Sequence, residues 1–273
     1  MKQRRFLLDS TLRDGEQSPG ICFSPDQKMK IASILDYGGV HQIEAGIPAV
    51  SKQEKETIVK IIANRKNAAV SVWSRLASSD IEHAIDVHPD IIHVSIPVSQ
   101  VHIHEKLRHD EEWVKSQLRD CLYLVDKNCV PLSVGFEDAF RAEIDFMADI
   151  ARILLDYGIT RIRLADTVGV ASPSRCRKVV SELSDRLDNK AELGIHAHND
   201  FGMAVANTLE ASKAGCLYAD VTAGGIGERA GNCNMAHLVH SGSALFDWGL
   251  TGSEARDLQY NILRVINPAR RTR

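Results

Sequence analysis

The stretch Ile91-Ile92-His93-Val94-Ser95-Ile96 is an almost uninterrupted apolar run of strand length in a sequence of 273 residues. Such runs are typical of parallel strands that are covered by helices on both faces. Further runs of this kind, each bounded by turn residues, lie before and after it. The predicted strands are Arg5–Leu12, Val40–Gly46, Ala69–Arg75, Ile91–Pro97, Pro131–Glu137, Arg161–Asp166, Glu192–His198 and Ala219–Gly225.

Helix-length amphipathic segments fill the intervals between these strands. The first begins at Pro25, because Ser24 is a favoured N-cap and proline is favoured at the first helical position. The predicted helices are Pro25–Tyr37, Lys52–Asn64, Ser79–Val87, Asp110–Asn128, Glu143–Tyr157, Pro173–Leu187, Met203–Ala214 and Asn234–Phe246. Strands that alternate with helices in this way predict an α/β protein with one (β/α)8 TIM barrel, and an open doubly wound sheet is the alternative.

We assign residues 1–250 to this single barrel domain and residues 251–273 to a short C-terminal extension. The composition, 44% hydrophobic and 25% charged, is ordinary for a globular protein. Lys and Arg number 33 against 36 Asp and Glu, without a run of like charge, which argues against a nucleic-acid partner. No apolar stretch approaches the roughly 18 residues of a membrane span. Phe6-Leu7-Leu8 is too short for a signal peptide, so we expect a cytoplasmic protein.

Polar residues gather where the predicted strands end. In a TIM barrel the active site lies at the carboxyl ends of the strands. The residues at those ends are Arg13, Asp14, Gln17, Glu44, Arg75, His102, Glu137, Asp138, Asp166, Thr167, His196, His198, Asn199, Asp200, Glu228 and Asn232. Their convergence predicts an active site at this rim.

His196-Ala197-His198 is the sharpest local feature, because residues i and i+2 of a strand point to the same face. Two adjacent imidazoles suit a divalent metal, although two histidines satisfied by hydrogen bonds would give the same pattern. Asp14, at the end of the first strand, completes a set of two histidines and one carboxylate that leaves positions for water and substrate. These ligands suit zinc, manganese, iron, cobalt or magnesium, and an iron oxygenase is a rival interpretation.

The segment from Gly224 to Asn232 contains GxGxxA, a nominal dinucleotide-binding pattern. It follows the last predicted strand, and no further strand completes the βαβ unit that this pattern requires. We therefore interpret the segment as a glycine-rich loop that binds phosphate groups at a corner of the barrel. A plain turn into the final helix is the alternative.

Three motifs carry a resemblance to a known family. They are Asp9-Ser10-Thr11-Leu12-Arg13-Asp14-Gly15-Glu16-Gln17, His196-Ala197-His198-Asn199-Asp200-Phe201-Gly202 and Gly225-Ile226-Gly227-Glu228-Arg229-Ala230-Gly231-Asn232. Over about residues 5–245 the sequence resembles the metal-dependent enzymes that condense an acyl-CoA with a 2-oxo acid, which are the homocitrate, isopropylmalate and citramalate synthases. These enzymes share a barrel with the hydroxymethylglutaryl-CoA lyases and pyruvate carboxylases.

The resemblance implies a Claisen condensation. A divalent metal would hold the 2-oxo acid, the methyl group of the acyl-CoA would attack its carbonyl, and thioester hydrolysis would release CoA. By the family pattern Asp14, His196 and His198 are metal ligands, with Asn232 at the metal directly or through water. Arg13 would stabilise the oxygen that gains negative charge.

The resemblance also implies roles for residues on other strands. Glu137 matches a catalytic glutamate of the family, and Thr167 matches the threonine that holds the substrate carboxylate. We also place Gln17, Glu44 and His102 among the substrate-binding residues.

Within the family, the segments 46–49, 94–99 and 137–143 look most like homocitrate synthases of the nitrogenase-associated type. The substrates would then be acetyl-CoA and 2-oxoglutarate. Gly135 replaces a serine of many relatives and would leave room for a longer substrate. Arg75, from its charge and its position at a strand end, is our hypothesis for the residue that binds the distal carboxylate. An isopropylmalate or citramalate synthase-type condensation with another 2-oxo acid is the alternative.

Synthases of this family continue past the barrel into a helical subdomain that supplies a histidine and a tyrosine to the partner protomer. Only Thr251–Arg273 follows the predicted barrel here. We therefore expect a barrel-only form, either a homo-oligomer or one subunit that works with a separate C-terminal polypeptide. A barrel-only aldol or Claisen lyase is the enzymatic rival, although Cys233 does not match the loop cysteine of the lyases. A catalytically silent scaffold is the third hypothesis, and the intact metal motif argues against it.

Overall fold

The computed structural model describes residues 2–267, which contain a closed barrel of parallel strands. The barrel strands are β1 (Phe6–Asp9), β2 (Gln42–Glu44), β3 (Ala69–Arg75), β4 (Ile91–Pro97), β5 (Leu132–Glu137), β6 (Arg161–Asp166), β7 (Glu192–Ala197) and β8 (Tyr218–Val221). Each strand pairs with the next along the chain, and β8 pairs with β1. The predicted TIM barrel is confirmed, and the open sheet is wrong because the ring closes.

Helices alternate with these strands around the outside of the barrel. They are α1 (Pro25–Tyr37), α2 (Lys52–Asn64), α3 (Ser78–Ile85), α4 (Glu111–Lys127), α5 (Ile144–Asp156), α6 (Pro173–Arg186), α7 (Ala204–Lys213), α8 (Met235–Gly242) and α9 (Gly252–Ile266). The bounds of α1 are those predicted, because Ser24 and Gln27 cap each other's backbone N–H groups and Pro25 occupies the first position. Among residues 2–267, no helix has the length and apolar character needed to cross a membrane.

The first strand is shorter than predicted. Asp9 Oδ1 accepts the backbone N–H of Thr11 over 2.9 Å, which turns the chain out of the sheet directly after β1. The residues that follow form a turn and a short 3-10 helix at Gly15–Gln17. This early turn places Arg13 and Asp14 in a loop above the barrel.

Three features were not predicted. Gln3–Arg4 pairs with Phe246–Asp247 outside the barrel, and Val101–Lys106 forms a π-helix after β4. Helix α9 occupies most of the predicted extension and packs against α1 and α8. Gly38, at the end of α1, allows this packing because a Cβ there would lie 2.3 Å from Leu258 of α9. Residues 268–273 of the extension lie outside the described residues.

Candidate active site

Three potential metal ligands meet at the carboxyl end of the barrel. Asp14 lies in the loop after β1, His196 is on β7, and His198 directly follows that strand. One oxygen of Asp14 lies 3.2 Å from His196 Nε2 and 3.7 Å from His198 Nε2. One ligand atom from each residue lies within 4.8 Å of the others, and all three side chains are buried. The structure therefore brings the predicted ligands together.

Their remaining ring nitrogens orient both imidazoles. His198 Nδ1 donates to the backbone carbonyl of Asp166 over 2.9 Å, and His196 Nδ1 lies 3.1 Å from Asp220 Oδ2. Each Nε2 atom thus faces Asp14, an arrangement typical of metal-binding histidines. His198 Nε2 is buried and has no hydrogen-bond partner among the described residues. Such an unpaired nitrogen, beside a carboxylate and a second imidazole, fits a cation ligand.

The charges around these groups favour a cation. Burial alone would raise the pKa of Asp14, but Arg13 and the two imidazoles lower it well below its usual range. Burial alone would lower the pKa of His196, but hydrogen bonds to Asp14 and Asp220 raise it to about 8. Asp14 is therefore ionised at neutral pH, and a bound cation would compete with the proton on His196.

Glycines let the loop after β8 approach the ligands. Asn232 Nδ2 donates to Asp14 Oδ1 over 2.8 Å and lies 3.2 Å from the carbonyl oxygen of Ile226. A Cβ at Gly227 would lie 2.2 Å from Asn232 Nδ2, so this close approach requires glycine. Asn232 Oδ1 is buried and has no partner within residues 2–267. Asn232 thus contacts Asp14 through its amide nitrogen and keeps an unpaired amide oxygen.

Buried ion pairs extend from the ligands into the barrel. Arg13 donates to Asp14 Oδ2 over 2.8 Å and to Glu44 Oε1 over 2.5 Å. Glu44 Oε2 lies 3.0 Å from Arg163 Nη1, which also contacts Asp220 Oδ2 at 2.5 Å. Burial alone would raise the pKa of Glu44, but Arg13 and Arg163 hold it well below its usual range. Each charge in this series of ion pairs therefore has an opposite partner, which offsets the cost of its burial.

A cavity of about 220 Å³ opens beside these groups. Most of the predicted site residues line it, and they are Arg13, Asp14, Gln17, Glu137, Thr167, His196 and His198. Trp73, Ser95 and Arg163 also line it, and none of the three was predicted. The cavity thus places the potential ligands, one free face of Arg13 and a carboxyl group around one volume.

Glu137 ends β5 at the wall of this cavity. Burial raises the pKa of Glu137, while the cations of Lys106 and Arg13 oppose that rise. His102 Nδ1 lies 3.9 Å from Glu137 Oε2, which is beyond hydrogen-bond distance. A carboxyl group with a raised pKa at a cavity wall is suited to proton transfer.

Comparison with known proteins identifies the family. The family model described as HMGL-like matches residues 5–246. The chain belongs to the HMGL-like family. Homocitrate synthase subunit alpha of Clostridium pasteurianum is 42% identical, over 85% of this chain and 86% of the relative. 2-Isopropylmalate synthase 2 of Caldanaerobacter subterraneus subsp. tengcongensis is 36% identical, over 93% of this chain and 66% of the relative.

A solved structure of low sequence identity confirms the fold alone. Hydroxymethylglutaryl-CoA lyase from Pseudomonas aeruginosa superposes with a TM-score of 0.84 at 17% identity, over 100% of this chain and 96% of the lyase. The family predicted from the three sequence motifs is confirmed by the family model over residues 5–246, and this superposition adds only that the barrel fold is the same.

Three predicted substrate residues of this HMGL-like barrel do not line the cavity. Arg75 is 70% exposed and donates to both oxygens of Asp80 on α3, at 2.6 and 3.0 Å. The guanidinium that we predict to bind a substrate carboxylate is thus paired with Asp80 instead. Glu44 contacts arginines with both oxygens, and His102 lies on the π-helix behind Glu137.

Arg163 and Asp220 were missed by the sequence analysis. Each is a charged residue inside an otherwise apolar strand, Arg163 between Ile162 and Leu164 and Asp220 between Ala219 and Val221. Charged side chains are almost never fully buried unless they are paired. A charged residue within an apolar strand could therefore have predicted a buried ion pair inside this barrel.

Proposed function

We propose that this chain catalyses the metal-dependent Claisen condensation of acetyl-CoA with 2-oxoglutarate, as a homocitrate synthase-like acyltransferase. The buried set Asp14, His196 and His198, with its unpaired His198 nitrogen, carries the proposal. The cavity beside it also contains Arg13 and Glu137, which suit the charge and proton changes of this reaction. The name of the C. pasteurianum relative, homocitrate synthase subunit alpha, supports the choice of 2-oxo acid.

We assign a divalent metal to Asp14, His196 and His198, with Asn232 as a further oxygen donor. Imidazole and carboxylate ligands suit manganese, zinc, cobalt, iron and, with water, magnesium. When bound, such a cation acts as a Lewis acid towards the carbonyl of the 2-oxo acid. The chain keeps Asp14 ionised through Arg13 and directs both Nε2 atoms towards the same carboxylate.

Arg13 is the residue that we assign to charge stabilisation. Its guanidinium is fixed on one side by Asp14 and Glu44, and it also lines the cavity. When the new carbon–carbon bond forms, the carbonyl oxygen of the 2-oxo acid gains negative charge. A cation that is already in place stabilises this charge without reorganisation.

Glu137 is our candidate for proton transfer. In the first step a base removes a proton from the acetyl methyl group and this carbon bonds to the carbonyl carbon of the 2-oxo acid. The carbonyl oxygen then takes up one proton and becomes a hydroxyl group, so that no net proton is lost. Water then cleaves the thioester, which gives a carboxylate and free CoA thiol. Thr167 Oγ1 accepts the N–H of Asp138 over 2.9 Å, so its own proton is free to bind a substrate carboxylate.

A second cavity supports a route for the acyl-CoA. It has a volume of about 700 Å³, lies beside α1 and α2, and shares Arg13, Gln17 and Ile47 with the first cavity. Gln17 therefore lies where the two cavities meet. We assign the second cavity to the CoA arm, which leaves the first to the 2-oxo acid.

We further propose that a separate polypeptide completes the enzyme. The C. pasteurianum relative is named a subunit, and the chain spans 86% of that relative but only 66% of the isopropylmalate synthase. A second copy of this chain is the alternative partner. Either partner would cover a rim that must exclude water during the condensation.

Release of free CoA thiol tests the proposed function. The chain is assayed with acetyl-CoA and manganese against 2-oxoglutarate, 2-oxoisovalerate and pyruvate, both alone and with the product of any adjacent gene. We expect thiol release with 2-oxoglutarate that is lost in Asp14→Asn and retained in Asp149→Asn, a matched change at an exposed helix position. Release with 2-oxoisovalerate or pyruvate but not with 2-oxoglutarate would show another condensation, and no release with any acid would contradict the proposal.

A further inference from the structure

His102 has an unpaired nitrogen close to the carboxyl group of Glu137. The residue is 7% exposed and lies on the π-helix Val101–Lys106, which follows β4. Its Nδ1 atom is buried, has no hydrogen-bond partner among residues 2–267, and lies 3.9 Å from Glu137 Oε2. Buried polar atoms are rarely left unpaired, because an unmade hydrogen bond costs free energy. The carboxyl group of Glu137 is a partner that a small movement would bring within reach.

Hydrogen bonds join the two segments that carry these side chains. The His102 N–H donates to Ser99 Oγ over 3.2 Å, and the Ser99 hydroxyl donates to Asp138 Oδ2 over 2.5 Å. Arg141 donates to both oxygens of the same carboxylate. Asp138 directly follows Glu137 in the chain. The backbone of the π-helix is therefore tied to the end of β5, which sets the distance between His102 and Glu137.

A short movement of the Glu137 side chain would close the remaining gap. A distance of 3.9 Å exceeds a normal N–H···O distance by roughly 1 Å. The Glu137 side chain is 28% exposed and borders the cavity, whereas the His102 side chain is 9% exposed. Catalytic hydrogen bonds are often long in a protein without substrate and tighten when the substrate binds. Glu137 is therefore the member of the pair that we expect to move.

The imidazole of His102 is neutral at pH 7. Burial lowers its pKa, and the cations of Lys106 and Arg141 lower it further, although the carboxylate of Asp138 opposes them. In a neutral imidazole one ring nitrogen carries the proton, and a neighbouring acceptor decides which one. Because Nδ1 faces Glu137, this nitrogen carries the proton and is a donor.

A donor at this position would also set the charge of Glu137. Burial raises the pKa of Glu137, the cations of Lys106 and Arg13 lower it, and the carboxylate of Asp138 raises it. A hydrogen bond from His102 stabilises the ionised carboxylate and therefore lowers this pKa. Glu137 must be ionised to take up a proton, so the hydrogen bond would keep it ready and fix the direction of its oxygens.

We infer that His102 is a positioning residue for Glu137, whose carboxylate accepts the Nδ1–H of His102 while substrate occupies the cavity. This inference rests on the proposed function and assigns His102 a role within it. His102 does not line the cavity, so it acts through Glu137 and not on the substrate. We assign this role in place of the predicted role of His102 in substrate binding.

The pH dependence of thiol release tests the inference in the manganese-loaded chain, together with any partner polypeptide that the activity requires. His102→Leu removes the donor. His102→Asn can place an amide N–H where Nδ1 lies, whereas His102→Gln places its amide near the position of Nε2 and leaves Nδ1 without a substitute. His104→Leu, a matched change at an exposed position of the same π-helix, is the control.

We expect His102→Leu to lower kcat at pH 7 by roughly 10- to 100-fold, because a hydrogen bond to an ionised group is lost. The KM values of 2-oxoglutarate and acetyl-CoA should change less than about threefold. The acid limb of the kcat profile should move to higher pH by about one unit or more, since the ionised form of Glu137 is less stable without the donor.

The other variants separate positioning from a merely structural role. His102→Gln should behave like His102→Leu, His102→Asn should return both kcat and the acid limb towards the wild-type values, and His104→Leu should match the wild-type chain. Urea unfolding identifies any variant that fails to fold. If His102→Leu does not fold, the comparison of His102→Asn with His102→Gln decides, and equal acid limbs in these two variants would overturn the inference.

Three further results would overturn the inference alone. The first is a lower kcat in His102→Leu with an acid limb that does not move. The second is a raised KM for 2-oxoglutarate at unchanged kcat, which would show direct substrate binding. The third is wild-type kinetics in His102→Leu. Absence of thiol release by the wild-type chain with every 2-oxo acid would instead contradict the proposed function, and the inference with it.

Discussion

The two sides of the barrel sheet have opposite chemistry. On β4, Ile92 and Val94 face outward and pack in the aliphatic layer between the sheet and the helices. His93 and Ser95, which alternate with them along the strand, face the interior of the barrel. Successive residues of a strand point to opposite faces, so the two regions are interleaved along the chain. The outer layer stabilises the fold by removing apolar surface from water. The interior holds polar groups that cost stability unless they are paired, and it contains the candidate site.

Removal of a ligand should give the largest functional effect with the least effect on the fold. We expect His198→Ala to weaken manganese binding by at least about 100-fold, because even changes behind a ligand typically cost about 10- to 100-fold in metal affinity. The measurement is manganese titration followed by electron paramagnetic resonance. His83→Ala on the surface of α3 is the control, and an unchanged manganese affinity in His198→Ala would refute our ligand set.

Substitution in the outer layer should give the reverse result. Ile92 is fully buried beside His93, and Ile92→Ala leaves a cavity between β4 and the helices. We expect the free energy of unfolding to fall by about 2–5 kcal/mol, with little change in manganese affinity. Urea unfolding measures the first quantity. A loss of manganese affinity as large as that of His198→Ala would show that the two regions are not separable.

Substitution of a residue that orients a ligand should have an intermediate effect on metal affinity. Asp220 holds the Nδ1 side of His196 and contacts Arg163. Asp220→Asn keeps the shape of the side chain but removes its charge, and such changes behind a ligand typically cost about 10- to 100-fold in metal affinity. The same manganese titration checks this. An effect smaller than threefold would show that the ion pairs inside the barrel are not coupled to the ligands.

The last prediction concerns the pH dependence of stability and not metal binding. Burial raises the pKa of Asp9 to about 7, and the nearby carboxylates of Asp220 and Glu44 add to the rise, although the N–H of Thr11 opposes it. The folded chain therefore binds this proton more tightly than the unfolded chain does. Its contribution to stability is complete below about pH 4 and is lost as the pH rises through about 7.

Asp9→Asn removes this titration while keeping an oxygen that can accept the Thr11 N–H. In urea unfolding between pH 4.5 and 8, the wild-type chain should lose stability with rising pH relative to Asp9→Asn, and the difference should level off above pH 7. Parallel stability curves for the two chains would contradict the assignment.

The local elements could be predicted because their signals are local. Helix α1 follows from Ser24 and Pro25, and the strands follow from short apolar runs. The extra helix α9 also carried a local signal, the capping box of Thr251 and Glu254, which the assignment of a short extension overlooked. The metal ligands could be predicted as well, because alternate residues of a strand point to the same face and this brings His196 and His198 together.

The contacts inside the barrel could not be predicted in the same way. The pairing of Arg163 with Asp220 joins residues on β6 and β8, which approach each other only when the ring closes. Arg75 was misplaced because the carboxylate of Asp80, five residues later on α3, competes for its guanidinium. The approach of the His93 imidazole to Gly135 likewise depends on how β4 and β5 are aligned in the barrel. Such pairings depend on register and side-chain direction.

The most direct test of our central claim is the anomalous diffraction of a crystal of this chain grown with manganese. We predict one strong anomalous peak per chain, about 2.0–2.4 Å from an oxygen of Asp14 and from the Nε2 atoms of His196 and His198. A peak bound elsewhere, or no peak at these residues when manganese is in excess, would contradict the claim that the barrel interior is built around a metal.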